Sequence, residues 1–136
     1  MHQANTSHFD LKPQNILVAA DGSVKLSDFG LARAEYRSVD GYTVNFSSPE
    51  QLRQRNVGTS SDIWAFGMLL YSLFSEALPF TSLMNRFPGT KIPKSVMLDE
   101  LSNNLDGFQH DLGELASCLD REIVETIQSC LSLEPL

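Results

Sequence analysis

Cysteine is scarce in this chain: its 136 residues carry two, Cys118 and Cys130. Two thiols can neither build a multi-bridge framework nor fill a four-ligand metal site. Both fall in one expected helix, where a rise of 1.5 Å per residue separates them by roughly 18 Å, far beyond disulfide reach. They read as small buried apolar residues of a reducing compartment. Positive charge is also short, with 10 Lys and Arg against 17 Asp and Glu and a net charge of -7. That balance argues against a nucleic-acid or anionic-membrane surface, because those partners select basic patches. No apolar run is long enough for a membrane span, and Met1 to Ser7 is polar, unlike a signal peptide. Internal repeats and low-complexity tracts are missing too. The expected setting is cytoplasmic or otherwise intracellular, for a chain whose length and 42% hydrophobic content can supply one core.

The residues that can carry chemistry crowd into one stretch, His8-Phe9-Asp10-Leu11-Lys12-Pro13-Gln14-Asn15, followed after a short hairpin by Asp28-Phe29-Gly30. Phosphoryl transfer asks a site to position a nucleophile and neutralise charge on phosphate oxygens, with little covalent chemistry of its own. Asp10 can accept the proton of an attacking hydroxyl. Lys12 can reach the moving phosphate as a point charge on a flexible stem. Asn15 and Asp28 bring hard oxygens, the type magnesium takes alongside nucleotide phosphates, and Gly30 frees the backbone for a turn. From residue types alone, the competing reading is a solvated loop that happens to hold two Asp and a Lys.

Order and spacing add to this. The stretch resembles the eukaryotic protein kinases, whose catalytic loop reads H-R-D-L-x-x-x-N and is followed by D-F-G and A-P-E. Here His8-Phe9-Asp10-Leu11 with Asn15, then Asp28-Phe29-Gly30, then Ser48-Pro49-Glu50 stand in that order, and Ser61-Asp62-Ile63-Trp64-Ala65-Phe66-Gly67 resembles the family's central helix. The resemblance implies ATP and Mg2+ as cofactors and a protein substrate. Asp10 would be the base, Lys12 the phosphate contact, and Asn15 and Asp28 the magnesium ligands. Leu17 would form the floor beneath the adenine, Thr43 would hydrogen-bond near Asp10 and Lys12, and Lys12-Pro13 points to the Ser/Thr class. It further implies that His8 packs below Phe29 and that Asp62 bonds the backbone of the catalytic loop. By residues alone, Leu17 is equally a core leucine and Asp62 equally a helix cap.

The same resemblance implies a mainly α architecture with a small β-hairpin, the C-lobe of a kinase truncated at both ends. On this expectation residues 1–136 are a partial kinase domain without the N-terminal lobe, and the arginine partner of a buried Glu50 lies beyond Leu136. Phe9 stands where the family usually has arginine. Besides a Ser/Thr kinase fragment, the sequence allows a non-catalytic, pseudokinase-like binding module or a truncated gene model. A small-molecule phosphotransferase fits less well, because Ser48-Pro49-Glu50 and Asp62 to Gly67 are kinase-like.

Local patterning completes the reading. Ile16 to Ala19 and Ser23 to Ser27 are short β-rich runs around Ala20-Asp21-Gly22, a hairpin signal. Leu31 to Ser47 has no clear period and reads as a loop. Ser61 is expected to cap a helix from Asp62 to about Ser75 that is apolar nearly all round and hence buried. Thr81 to Gly113 shows little regular period, with Pro88-Gly89 and Pro93 as breakers. Leu115, Leu119, Ile123, Ile127, Cys130 and Leu131 recur at helical spacing, an amphipathic helix facing the core.

Overall fold

The computed structural model describes residues 7–29, 45–53, 57–75, 81–89, 92–103 and 117–131. Thr43, Gly30, Leu115 and most of the expected loop lie outside them. The described chain is mostly helical, with one two-stranded antiparallel sheet.

Pro13–Asn15 forms a short 3-10 turn that starts on proline, whose fixed φ suits a first helical position. It leads into β1 (Ile16–Val18), which pairs with β2 (Val24–Leu26) in the register Ile16 to Leu26, Leu17 to Lys25 and Val18 to Val24. The expected Ala20-Asp21-Gly22 turn joins them. The Gly22 amide bonds Ala19 O at 2.9 Å, and Gly22 takes a φ of 82°, which a residue without Cβ adopts freely. Asp21 Oδ1 accepts the Ser23 amide at 2.9 Å and braces the turn. The hydroxyl of Ser23, and then its amide, hold the Asp21 carboxyl below the usual aspartate range.

The helices are α1 (Pro49–Arg53), α2 (Thr59–Ser75), α3 (Thr81–Arg86), α4 over residues 94–103, and α5 (Arg121–Cys130). The core gathers around α2. Trp64, Met68 and Leu69 of α2 pack with Leu83, Met97, Leu101 and Ile127, all buried. Along α5, Val124 and Ile127 are buried while Arg121, Glu125 and Gln128 face solvent, the amphipathic pattern expected. Gly67 lets α2 and α5 meet closely: a Cβ there would stand 2.6 Å from Cys130 Cβ.

Four expectations need correction. Ser61 is not the cap of α2, which begins at Thr59, because the Ser61 hydroxyl is engaged by Glu50. The helix is not buried all round either: Ile63, Phe66 and Leu73 are 40%, 41% and 62% exposed, a stripe on the side turned from the core. The two cysteines do not share a helix, nor are both buried. Cys118 lies exposed in a turn, and extended Asp120, at φ -60° and ψ 133°, delays α5 until Arg121. Finally, the stretch after Thr81 is more regular than its pattern suggested, since Pro88 and Gly89 break it between α3 and α4 without abolishing either helix.

Candidate active site

The loop from Ser7 to Asn15 is fastened to α2 by one carboxylate. Asp62 Oδ2 accepts the His8 amide at 2.7 Å and Oδ1 accepts the Phe9 amide at 2.8 Å. A buried loop must find partners for its backbone N–H groups, and an ionised acceptor in the first turn of a helix supplies two at once. The expected bond from Asp62 to the loop backbone is therefore present.

His8 is buried and both ring nitrogens are engaged. Nδ1 accepts the Asp10 amide at 3.3 Å, so Nε2 carries the hydrogen and donates to Ser27 O at 2.8 Å. With neither nitrogen left for a substrate, His8 is a strut between the loop and the end of the hairpin. Its ring meets Phe29 edge-on, centroids 5.1 Å apart, the packing anticipated for this pair.

Asp10 is buried, and its two oxygens differ. Oδ2 pairs with Lys12 Nζ at 2.7 Å and accepts Asn15 Nδ2 at 3.2 Å. Oδ1 is buried with no hydrogen-bond partner among the described residues. An orphaned acceptor costs roughly 1 to 3 kcal/mol. Asn15 Nδ2 also donates to Asp10 O at 2.8 Å, so both amide hydrogens point back at Asp10 and its oxygen is left for another group.

The hairpin sets the other half. Ser27 N–H donates to Asn15 O at 2.8 Å, so strand pairing continues through Asn15 and Ser27 and brings Asp28 to the same edge as Asn15. Asp28 is exposed and has a φ of 60°; Phe9, next to Asp10, has a φ of 63°. A side chain in this left-handed region costs about 1 to 2 kcal/mol per residue, and such residues persist where surrounding contacts over-determine them. One outlier precedes Asp10 and the other is Asp28, so each falls at a carboxylate singled out from sequence. Leu17 lies on β1 and is 54% exposed, and Phe29, just after the hairpin, is 46% exposed, so this part of the chain presents apolar surface.

One group of residues escaped the sequence reading. Ser48 and Gln51 form a capping box for α1: Gln51 Oε1 accepts the Ser48 amide at 3.0 Å, and Ser48 Oγ accepts the Gln51 amide at 3.3 Å. Ser48 Oγ then donates to Ser61 Oγ at 3.1 Å, and Ser61 Oγ donates to Glu50 Oε1 at 2.8 Å. Ser60 Oγ adds a second donor to Glu50 at 3.1 Å. Glu50, expected at a buried site, is only half-buried and is served by hydroxyls. The spare Nε2 of Gln51 donates to Phe9 O at 3.1 Å and so reaches the loop. The pattern S-x-x-Q over Ser48 to Gln51 was the available signal.

Fold and site together define a loop that ties one oxygen of a buried carboxylate to a lysine and an amide, next to a hairpin that carries a second carboxylate. Over residues 1–135 the chain matches the protein kinase domain, and it belongs to that family. It is 35% identical to the serine/threonine-protein kinase PknL of Mycobacterium tuberculosis, a match that covers 86% of this chain and 31% of the relative. It is 41% identical to the probable serine/threonine-protein kinase PknB of Lactococcus lactis, over 58% of this chain and 14% of that protein. A tyrosine kinase is similar as well: the megakaryocyte-associated tyrosine-protein kinase of Mus musculus is 34% identical, over 85% of this chain and 23% of its own length. The chain thus spans about a third of PknL, with 31% covered. No helix among the described residues is long and apolar enough to cross a membrane.

Proposed function

We propose that this chain is the C-terminal, catalytic-loop half of a serine/threonine protein kinase that transfers the γ-phosphate of ATP to a protein hydroxyl inside the cell. The observation that carries the proposal is the asymmetry of Asp10, with one oxygen tied by Lys12 and Asn15 and the other buried without a partner among the described residues. A substrate hydroxyl that donates to Oδ1 supplies the missing hydrogen bond and is aligned for attack, and Asp10 takes its proton as transfer proceeds. Lys12 moves from its pair with Asp10 toward the transferring phosphoryl oxygens, and Thr43, which lies outside the described residues, is assigned by the family resemblance a hydrogen bond near Asp10 and Lys12.

Magnesium and ATP follow from family membership, and the residues present fit them. Asn15 has an amide oxygen without a hydrogen bond among the described residues, and Asp28 offers an exposed carboxylate on the same edge. Both are oxygen ligands of the kind a hard divalent cation takes. The cation, when bound, neutralises phosphate charge. Leu17 offers an apolar face to the adenine ring. The Ser/Thr assignment rests on Lys12-Pro13 and on the names of PknL and PknB.

The test is transfer of labelled γ-phosphate by the full-length protein to serine, threonine and tyrosine peptides, with Asp28→Asn alongside. Magnesium-dependent labelling of serine or threonine, lost in Asp28→Asn, is expected. Labelling of tyrosine alone would overturn the Ser/Thr assignment, and labelling that survives Asp28→Asn would remove Asp28 from the site.

A further inference from the structure

The residue that leads into Asp10 is gripped through both of its backbone polar groups. The Phe9 N–H is held by Asp62, and the Phe9 C=O by Gln51 Nε2, which is buried and sits in the first turn of α1. Between the two grips Phe9 adopts its left-handed φ of 63°. That backbone angle sets where Asp10 leaves the loop, and hence where Oδ1 opens.

Gln51 has more than a capping job. In a capping box the third helical residue needs only an acceptor for the N-cap amide, and glutamate provides one as well as glutamine does. Only glutamine keeps an N–H for another carbonyl. Here that N–H reaches Phe9 O, 42 positions away in sequence.

We infer that Gln51 is a positioning residue for Asp10: it clamps the Phe9 carbonyl opposite Asp62, holds the left-handed turn, and so fixes the direction of the open Asp10 oxygen. This rests on the proposed transfer reaction for its kinetic consequence, but the clamp itself is a structural statement. It also ties the start of α1 to the base through a single side chain, so a shift of α1 moves the carboxylate.

Gln51→Glu separates the two roles. The variant keeps the acceptor for the Ser48 amide and sets an oxygen against the Phe9 carbonyl where a donor stood. Gln51→Met removes both functions at similar size and serves if the glutamate variant does not fold. Leu52→Ala is the control for stability, because Leu52 is buried in the core and its side chain has no polar atom to hold the Phe9 peptide.

Two measurements on the full-length protein decide the matter. In exchange experiments, the Asp10 amide, which belongs to the clamped peptide, exchanges about tenfold faster or more in Gln51→Glu or Gln51→Met than in Leu52→Ala at matched global stability. In steady-state kinetics, kcat falls about tenfold to a hundredfold with KM for ATP and peptide within about twofold, the mark of a misplaced group rather than lost binding. Asp10 exchange no faster than in Leu52→Ala overturns the clamp. Faster exchange with kcat no lower than in that control overturns the role in positioning the base. If the wild-type protein transfers no phosphate, the proposed function fails, and the exchange measurement still decides the clamp.

Discussion

Replacing Asp62 tests how the loop is held. In Asp62→Ala the buried His8 amide and the partly buried Phe9 amide lose their acceptor, with bonds of 2.7 and 2.8 Å. Bonds to a charged acceptor contribute about 1.5 to 3 kcal/mol each, and every buried donor left without a partner costs about 1 to 3 kcal/mol. Removal of a buried carboxylate also returns part of its desolvation cost. The net loss expected is about 3 to 5 kcal/mol, a large share of the roughly 5 to 15 kcal/mol that keeps a domain folded. In Asp62→Asn one amide keeps an oxygen acceptor while the other faces an NH2 donor, so the loss should be near 2 kcal/mol. Denaturant titration gives both values, and native-state exchange at His8 and Phe9 shows whether the loss is local. Losses below about 1 kcal/mol in both variants, or unchanged protection of the two amides, would refute the view that Asp62 anchors the loop.

Other outcomes follow from separate parts of the molecule. Gly67→Ala should lower stability by about 1 to 3 kcal/mol, because the added methyl would meet Cys130 Cβ at 2.6 Å and Leu131 Cδ2 at 3.0 Å where two helices are closely packed; an unchanged melting temperature would show that α5 moves aside at no cost. A maleimide should label exposed Cys118 well before Cys130, whose thiol burial pushes up in pKa, and mass spectrometry of the labelled peptides gives the order. Asp21 has its carboxyl held low by the Ser23 hydroxyl and then its amide, so its turn contact is complete above the unfolded aspartate range and is lost as pH falls through the lower folded value. Titration of the Ser23 amide resonance should therefore show its midpoint below that of a free aspartate.

What could be read from sequence was mostly local. The hairpin was legible because Asp21-Gly22 specifies its turn and two β-rich runs flank it. That Asp10, Lys12 and Asn15 come together was legible because all three lie within one loop. Longer links were not accessible to pattern. The bond from Asp62 to His8 and Phe9 crosses more than 50 positions, with separations of 54 and 53, and came only from family resemblance. The Gln51 link was missed although its capping box was written in Ser48 to Gln51, because nothing local says where the spare amide hydrogen points. At α5 the helical period ran back through Leu119 and concealed the extended Asp120. Met97 and Leu101 belong to a helix that Pro93 and Gly89 on its near side made look like a loop.

The central claim, that the open oxygen of Asp10 takes the substrate proton, is tested most directly by Asp10→Asn in the full-length protein. The substitution keeps size and shape and replaces the basic carboxylate with an amide. A general base is worth about 100-fold to 10,000-fold, so kcat for phosphate transfer from ATP to a serine or threonine peptide should fall by at least about 100-fold, with KM for ATP little changed. Transfer by Asp10→Asn within about tenfold of the wild-type rate would contradict the account.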